Sequence, residues 1–265
     1  MNVYLQELKM ARSSMLWWIG ALVAVTMMFL AIYPAFHSDI QASQKLLAGF
    51  PPQVRAALDL NITMFLSFLG FYAYMFTYVG LAGAVQATNL GLVMLSREVS
   101  SKTTDFLLTK PASRGQIFAS KLGAALTVLI ITNLVLVAAT FGLAKAFGAG
   151  SFDMKIFGLL CLAFWLVQLM FMSIGVLASQ LIRVKSVITI SLGLVFGFFA
   201  LSMVQAIASD DKLRYFTPFK YFDHMNIVAN GRYDMKFFWL SILVIAAGLV
   251  VGLVLYRQRD TRSET

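Results

Sequence analysis

Long apolar stretches without a single charged side chain recur six times along the chain. Each is at least about as long as the roughly 20 residues that an α-helix needs to cross a bilayer. The second stretch is longer than a minimal span, so we expect that helix to tilt or to project beyond the bilayer. The six predicted spans are 14–33, 62–95, 122–144, 156–180, 186–208 and 237–256.

Composition agrees with a helical membrane protein. Of the 265 residues, 60% are hydrophobic and 12% are charged, whereas a soluble domain carries about 25% charged residues. The mean hydropathy is +0.80. We find no internal repeat, linker or low-complexity segment. The chain is therefore expected to be a single all-α membrane domain over residues 1–265.

The segment before the first span, 1–15, mixes apolar and polar residues in a pattern typical of a helix that lies along the membrane interface. We therefore expect an interfacial N-terminal helix, after which the chain turns into the first span. Lys9 and Arg12 precede an apolar run, as in a signal peptide. That run is longer than the roughly 7–15 residues of a cleavable hydrophobic region, so we expect a retained span.

The net charge of +9 does not indicate a nucleic-acid-binding protein, because the basic residues lie beside the apolar runs rather than in one patch. Such a distribution is typical of topology signals and of contacts with anionic lipids. With six spans, both termini lie on one side of the membrane. The positive-inside rule places them in the cytoplasm, which puts the longer loops 34–61 and 209–236 outside.

A polar insert, 97–121, separates the second and third spans on the predicted cytoplasmic side. Glu98, Lys102 and Asp105 recur at i, i+4 and i+7 with alternating signs, so they can pair along one face of a helix. Pro111 ends this helix, because the residue before a proline is disfavoured in the α region.

The second face of this predicted helix is mostly apolar. It contains Val99, Thr103, Phe106 and Leu107. Ser113 and Gln116 then have the spacing of a capping box that begins the third span. A short helix with an apolar face, held between two spans, is expected to dock into another protein; the alternative is an interfacial helix that rests on lipid.

The insert resembles the first cytoplasmic loop of ABC-2 type transporter permeases. That loop has an acid, a Gly-Thr pair, a second acid, paired leucines, a proline, a Ser-Arg pair and a later lysine. The matching residues are Glu98, Thr103, Asp105, Leu107, Leu108, Pro111, Ser113, Arg114 and Lys121. The sequence departs from the pattern at Lys102, where the family usually has glycine. The N-terminal helix, the six spans and the last outer loop also resemble the family, so the resemblance covers nearly the whole chain.

The resemblance implies that the insert is a coupling helix, which docks into a cleft on a separate ATP-binding subunit. The residues expected to make this contact are Glu98, Thr103, Asp105, Phe106, Leu107, Leu108, Pro111 and Arg114. It also implies an exporter of the bacterial cytoplasmic membrane, in which two permeases, identical or homologous, assemble with two ATP-binding subunits.

Nucleotide chemistry is expected in the partner and not in this chain. The sequence has no G-x-x-x-x-G-K-[ST] motif with which to cradle phosphates. ATP and Mg²⁺ are therefore expected to bind the partner subunit, and the chain is expected to be non-catalytic and to bind no cofactor. Two alternatives remain: a membrane anchor or assembly subunit for a cytoplasmic ATPase that transports nothing, and a channel that works without a motor.

Other chemistry finds little support in the sequence. His37 and His224 are the only histidines and Cys161 is the only cysteine, so we expect neither a metal site nor a disulfide. The predicted spans contain no ionisable Asp, Glu, His, Lys or Arg. Their absence argues against an intramembrane protease or transferase and against a proton- or ion-coupled carrier.

The second predicted span supplies the candidate substrate path. It is rich in aromatic residues and carries two amides towards its cytoplasmic end. Amides in spans more often form hydrogen bonds between helices than bind ligands, and aromatic rings often pack on helices and lipid. The path candidates are Phe71, Tyr74, Tyr78, Gln86 and Asn89.

Two pairs of glycines and one Asn-Gly pair also make structural predictions. The spacing of Gly193 with Gly197, and of Gly248 with Gly252, predicts close approach to other helices. Asn230–Gly231 predicts a turn in the last outer loop. That loop is either a short helix that caps the membrane domain or a loop on the membrane surface.

Overall fold

The computed structural model describes residues 3–38, 40–57, 62–100, 113–182, 184, 186–208 and 210–258, and each regular element among them is helical. A 3₁₀ helix at Pro218–Lys220 accompanies the α-helices. In chain order the α-helices are α1 (Val3–Ser38), α2 (Ile40–Ala48), α3 (Pro52–Ala57), α4 (Ile62–Phe65), α5 (Phe68–Ser100), α6 (Arg114–Ala146), α7 (Met154–Leu181), α8 (Val187–Ala208), α9 (Asp211–Arg214), α10 (His224–Asn230) and α11 (Met235–Gln258).

Six of these helices are long and apolar enough to cross a membrane, namely α1, α5, α6, α7, α8 and α11. Each of them overlaps one of the six predicted spans. The predicted architecture, an all-α membrane protein with six transmembrane helices, is therefore confirmed.

The N-terminal part differs from the prediction. The expected interfacial helix and the first span form one continuous helix, α1, whose 36 residues are about 54 Å long at the usual rise per residue. This length exceeds the roughly 30 Å of the hydrocarbon core. Helix α1 therefore extends beyond the bilayer, and the turn that we expected before the first span does not occur.

The long second run is interrupted between α4 and α5. Ser67 Oγ donates to Met64 O at 2.8 Å and accepts from Gly70 N at 3.1 Å, so one hydroxyl group bonds the end of α4 and the start of α5. A Cβ on Gly70 would overlap the Met64 carbonyl group. Glycine permits this break, but α5 alone has 33 residues and is about 50 Å long, so it must also tilt or extend beyond the hydrocarbon core.

Helices α5 and α7 form the centre of the bundle and are mostly buried, whereas α1, α8 and α11 expose much of their apolar surface. The two central backbones touch where Gly91 faces Gly175. A Cβ on Gly175 would lie 2.6 Å from Thr88 O. Small residues at this crossing allow the helices to approach at backbone distance.

The two glycine pairs behave differently. Gly248 and Gly252 of α11 pack on α7, where an added Cβ would lie 2.8 Å from Ser173 Cβ and 2.6 Å from Val176 Cγ1, respectively. Close approach is therefore confirmed for this pair. Gly193 and Gly197 of α8 have no described atom within 4 Å of an added Cβ, so this pair makes no close contact within the described chain.

Both predicted outer loops contain helices. Residues 210–234 pack on α5, α7 and α8 at the end of the bundle opposite the insert, and we call this segment the helical cap. Arg214 forms an ion pair with Asp234 at 3.3 Å, and its guanidinium lies 3.8 Å from the Phe237 ring centroid. Gly231 has a left-handed φ of 61°, which confirms the predicted turn. The last loop is therefore a folded cap.

Candidate functional site

Most of the residues predicted to contact a partner lie outside the described part of the chain. These residues are Thr103, Asp105, Phe106, Leu107, Leu108 and Pro111. Glu98 lies near the end of α5, where the backbone alone is described. The coupling helix thus remains a prediction, and the structure describes the two helices that flank it.

Helix α6 begins with the capping box predicted from the sequence. Gln116 N donates to Ser113 Oγ at 3.3 Å, and Ser113 N donates to Gln116 Oε1 at 2.9 Å. This reciprocal pair satisfies two backbone N–H groups that the helix leaves without partners. The capping box therefore fixes the residue at which the insert ends and the helix begins.

Arg114, one of the predicted partner contacts, reaches the end of α11. Its Nη1 donates to Arg257 O at 3.1 Å and to Tyr256 O at 3.5 Å. A cation at this position stabilises the last carbonyl groups of a helix and their partial negative charge. The start of α6 is thereby fastened to α11.

Lys121 lies two turns further along α6 and is only 4% exposed. Its Nζ forms an ion pair with Glu7 Oε1 of α1 at 2.8 Å and donates to Met94 O of α5 at 2.9 Å. The sequence pattern assigns Lys121 to the insert, whereas the structure places it inside a membrane-spanning helix. The carboxylate and the carbonyl replace the water that the buried ammonium group has lost.

Amide side chains form a second polar cluster in the middle of the bundle. Gln86 Nε2 of α5 donates to Thr132 Oγ1 of α6 at 3.1 Å. Gln168 of α7 joins both helices, because its Nε2 donates to Gln86 Oε1 at 3.4 Å and its Oε1 accepts from Asn133 Nδ2 at 2.6 Å. Gln86, a candidate for the path, therefore forms hydrogen bonds between helices, as amides in spans usually do.

A pocket of about 70 Å³ lies between α1, α5 and α6. Its lining includes Glu7, Lys121, Gln86 and Asn89, so it adjoins both the ion pair and the amide cluster. Asn89 Oδ1 is buried and has no hydrogen-bond partner among the described residues. Since about 10–15 Å³ is enough for one water molecule, the pocket has room for several that could bond these groups.

The three aromatic path candidates pack against α1. Phe71 is 2% exposed, and its ring centroid lies 5.3 Å from that of Tyr33. Tyr78 stacks on Phe29 at 5.5 Å, and its hydroxyl lies 3.1 Å from that of Tyr74. These rings form the contact between α1 and α5, and they do not line the pocket that contains Gln86 and Asn89.

A smaller cavity of about 30 Å³ lies beneath the helical cap. The rings of Phe76 and His224 border it with their centroids 4.8 Å apart, and His224 is 9% exposed. Within the cap, burial raises the pKa of Tyr221 above its ordinary value, and its hydroxyl donates to Tyr215 O at 2.6 Å. The described residues contain no group of three His, Cys, Asp or Glu side chains that could hold a metal ion.

Sequence reasoning missed two features of this site. The first is the pairing of Glu7 with Lys121, which lie 114 positions apart in the chain. Its only signal is a single lysine at the start of an apolar run and a single acid in the first 38 residues. The second is Gln168, an isolated amide in an apolar run, which is a signal that could have been used.

Comparison with known proteins gives one clear result. A family model described as ABC-2 family transporter protein matches residues 1–261. The matched region includes all six long helices and the insert between α5 and α6. Among curated proteins, no match was found.

Proposed function

The chain belongs to the ABC-2 transporter family, and we propose that it is the permease subunit of an ATP-driven exporter. Family membership and the six apolar helices make it a multi-pass membrane component of an ABC transporter. In the proposed complex, the chain forms the translocation path and contacts a separate ATP-binding subunit through the insert 97–121. The family match over residues 1–261 is the observation that carries this proposal.

The geometry beside the insert supports a role in transmitting movement. Ser113 fixes the point at which α6 begins, Arg114 bonds the end of α11, and Lys121 bonds α1 and α5. A partner that displaces the insert would therefore act on several spans together.

The remaining parts of the proposal concern the complex. ATP and Mg²⁺ bind the partner subunit, and this chain is non-catalytic and binds no cofactor. A second copy or a homologous permease completes the path in the bacterial cytoplasmic membrane. ATP binding closes the two ATP-binding subunits, moves the inserts and changes access to a cavity between the permeases.

Both termini of the proposed permease lie in the cytoplasm. In a Cys161→Ala background, Gln44→Cys should react with a membrane-impermeant thiol reagent added to intact cells, and Gln6→Cys should react only after the membrane is permeabilised. Gln6 and Gln44 are both exposed, whereas the nearby Ser43 is buried and unsuitable. Reaction of both cysteines from the same side would contradict the orientation.

The central test is purification of the chain in mild detergent from its native membrane. We expect an ATPase with a phosphate-binding loop to copurify, and we expect the isolated chain to hydrolyse no ATP. An active preparation without an ATPase would indicate a channel instead. A stable complex that hydrolyses ATP without moving any solute would indicate an assembly subunit.

A further inference from the structure

We propose that Glu7 and Lys121 are positioning residues that carry movement of the insert to α1. This inference rests on the proposed function, because it assumes that a partner moves the insert. It adds a specific connection: the ion pair holds α1 fixed to the helices on either side of the insert. We call the set Glu7, Lys121 and the Met94 carbonyl group the base clamp.

The position of the base clamp is the first argument. Met94 lies six residues before the end of α5, and Lys121 lies seven residues after the start of α6. Both are thus about two turns from the segment that joins α5 to α6. The ammonium group of Lys121, which α6 carries, bonds Met94 O of α5 and Glu7 Oε1 of α1 within 3 Å, so three helices meet at one side chain.

The chemistry of the base clamp is the second argument. Apolar side chains of similar size hold buried helices together at least as well as an ion pair does, because the charges must be desolvated. A lysine that is 4% exposed inside a membrane-spanning helix is therefore not needed for packing alone.

The pocket beside the base clamp is the third argument. Glu7 and Lys121 line about 70 Å³ of open space, together with Ala11, Ser14 and Ala124. Next to this space α1 packs on α6, where the Tyr4 hydroxyl lies 2.9 Å from Thr127 Oγ1 and the Tyr4 ring lies beside Gly123. The ion pair therefore joins α1 to α6 beside open space between the helices, and Tyr4 adds a second contact one turn before Glu7.

Spin labels on α1 and α6 can test the base clamp. Leu5→Cys and Ala119→Cys, both at exposed positions, are labelled in a Cys161→Ala background, and the complex with its ATPase is placed in lipid nanodiscs. Dipolar broadening then reports the distance between the labels. With Glu7 and Lys121 intact, we expect a narrow distribution of label-to-label distances that is the same without nucleotide and with ATP plus vanadate.

Neutralising the ion pair should allow α1 to move relative to α6. With Glu7→Gln, or with Glu7→Gln and Lys121→Met together, we expect a broad distribution of label-to-label distances. This distribution should change when ATP and vanadate are added, while ATP turnover continues. The double variant removes both charges of the pair, so it remains informative if the single variant folds poorly. Lys9→Gln, an exposed charge on the same helix, should behave like the unaltered chain.

A charge swap separates the ion pair from the bond to α5. Glu7→Lys with Lys121→Glu restores the pair, but a carboxylate at position 121 cannot donate to Met94 O. We expect the swap to restore the narrow distance. A swap that behaves like the neutral variants would overturn the proposal, as would a neutral variant whose distance stays fixed when ATP and vanadate are added. A role in folding alone would lower the melting temperature and leave the nucleotide dependence unaltered.

The experiment gives a different result if the chain is not the permease subunit of an ATP-driven exporter. In that case no ATPase would copurify with the unaltered chain. The same labels on the chain alone would still test the base clamp, because Glu7→Gln should broaden the distance in the absence of any partner. An equally narrow distance in both proteins would overturn it.

Discussion

Replacing Phe106 and Leu107 together by Asp should abolish association of the chain with its ATP-binding subunit. Both residues lie on the apolar face of the helix predicted in the insert. Burial of each side chain in a partner cleft contributes about 1.5–3 kcal/mol. Losing both therefore weakens binding by about 3–6 kcal/mol, or roughly 10²–10⁴-fold, before the cost of placing carboxylates in the cleft is added. The ATPase retained by the immobilised chain, and the ATP turnover of the complex, measure this loss.

Lys102→Ala provides the control within the same predicted helix. It removes only exposed charge pairs, each worth about 0.2–0.5 kcal/mol, so the ATPase should still copurify. Neither change lies in one of the six spans predicted from the sequence, and both proteins should reach the membrane in normal amounts. If the Phe106→Asp and Leu107→Asp double variant retains its ATPase and its transport, the insert is a helix that rests on lipid.

The features that the sequence could predict are those that depend on nearby residues. Six uncharged runs specify six spans, because a backbone in lipid must form its hydrogen bonds within a helix. The capping box at Ser113 and the turn at Gly231 are also local, and the structure confirms both. Local patterns therefore suffice for the number of spans and for the position at which α6 begins.

Contacts between distant segments could not be predicted in the same way. Amphipathic spacing in residues 3–15 is equally compatible with a helix on the membrane surface and with the free end of a long span, and the structure has the latter. The pairing of Glu7 with Lys121 depends on how α1 and α6 pack, which no local pattern contains. Glycine spacing likewise identified a close contact at Gly248 without identifying α7 as the neighbour.

Gly91→Ala should destabilise the membrane domain, whereas the same substitution at Gly80 of α5 should not. The new Cβ would overlap Met172 O and lie 2.8 Å from Val176 N, both in the backbone of α7. A backbone cannot rotate away as a flexible side chain can, so α5 and α7 must separate. Overpacking of this kind costs about 1–3 kcal/mol, and more where neighbours cannot shift. Folded protein that survives heating in detergent, measured by size-exclusion chromatography, reports the loss.

Gly80→Ala is the matched control, because Gly80 lies 11 residues before Gly91, about three turns away on nearly the same side of α5. An added Cβ there has no described atom within 4 Å. Alanine is favoured over glycine inside a helix by about 0.5–1 kcal/mol, so this variant should be at least as stable as the unaltered chain. If the two Gly→Ala substitutions change the stability in opposite directions, the backbone contact between α5 and α7 lies at Gly91. Equal melting behaviour of both variants would mean that α5 and α7 do not cross there, and the packing of the amide cluster between them would need a different explanation.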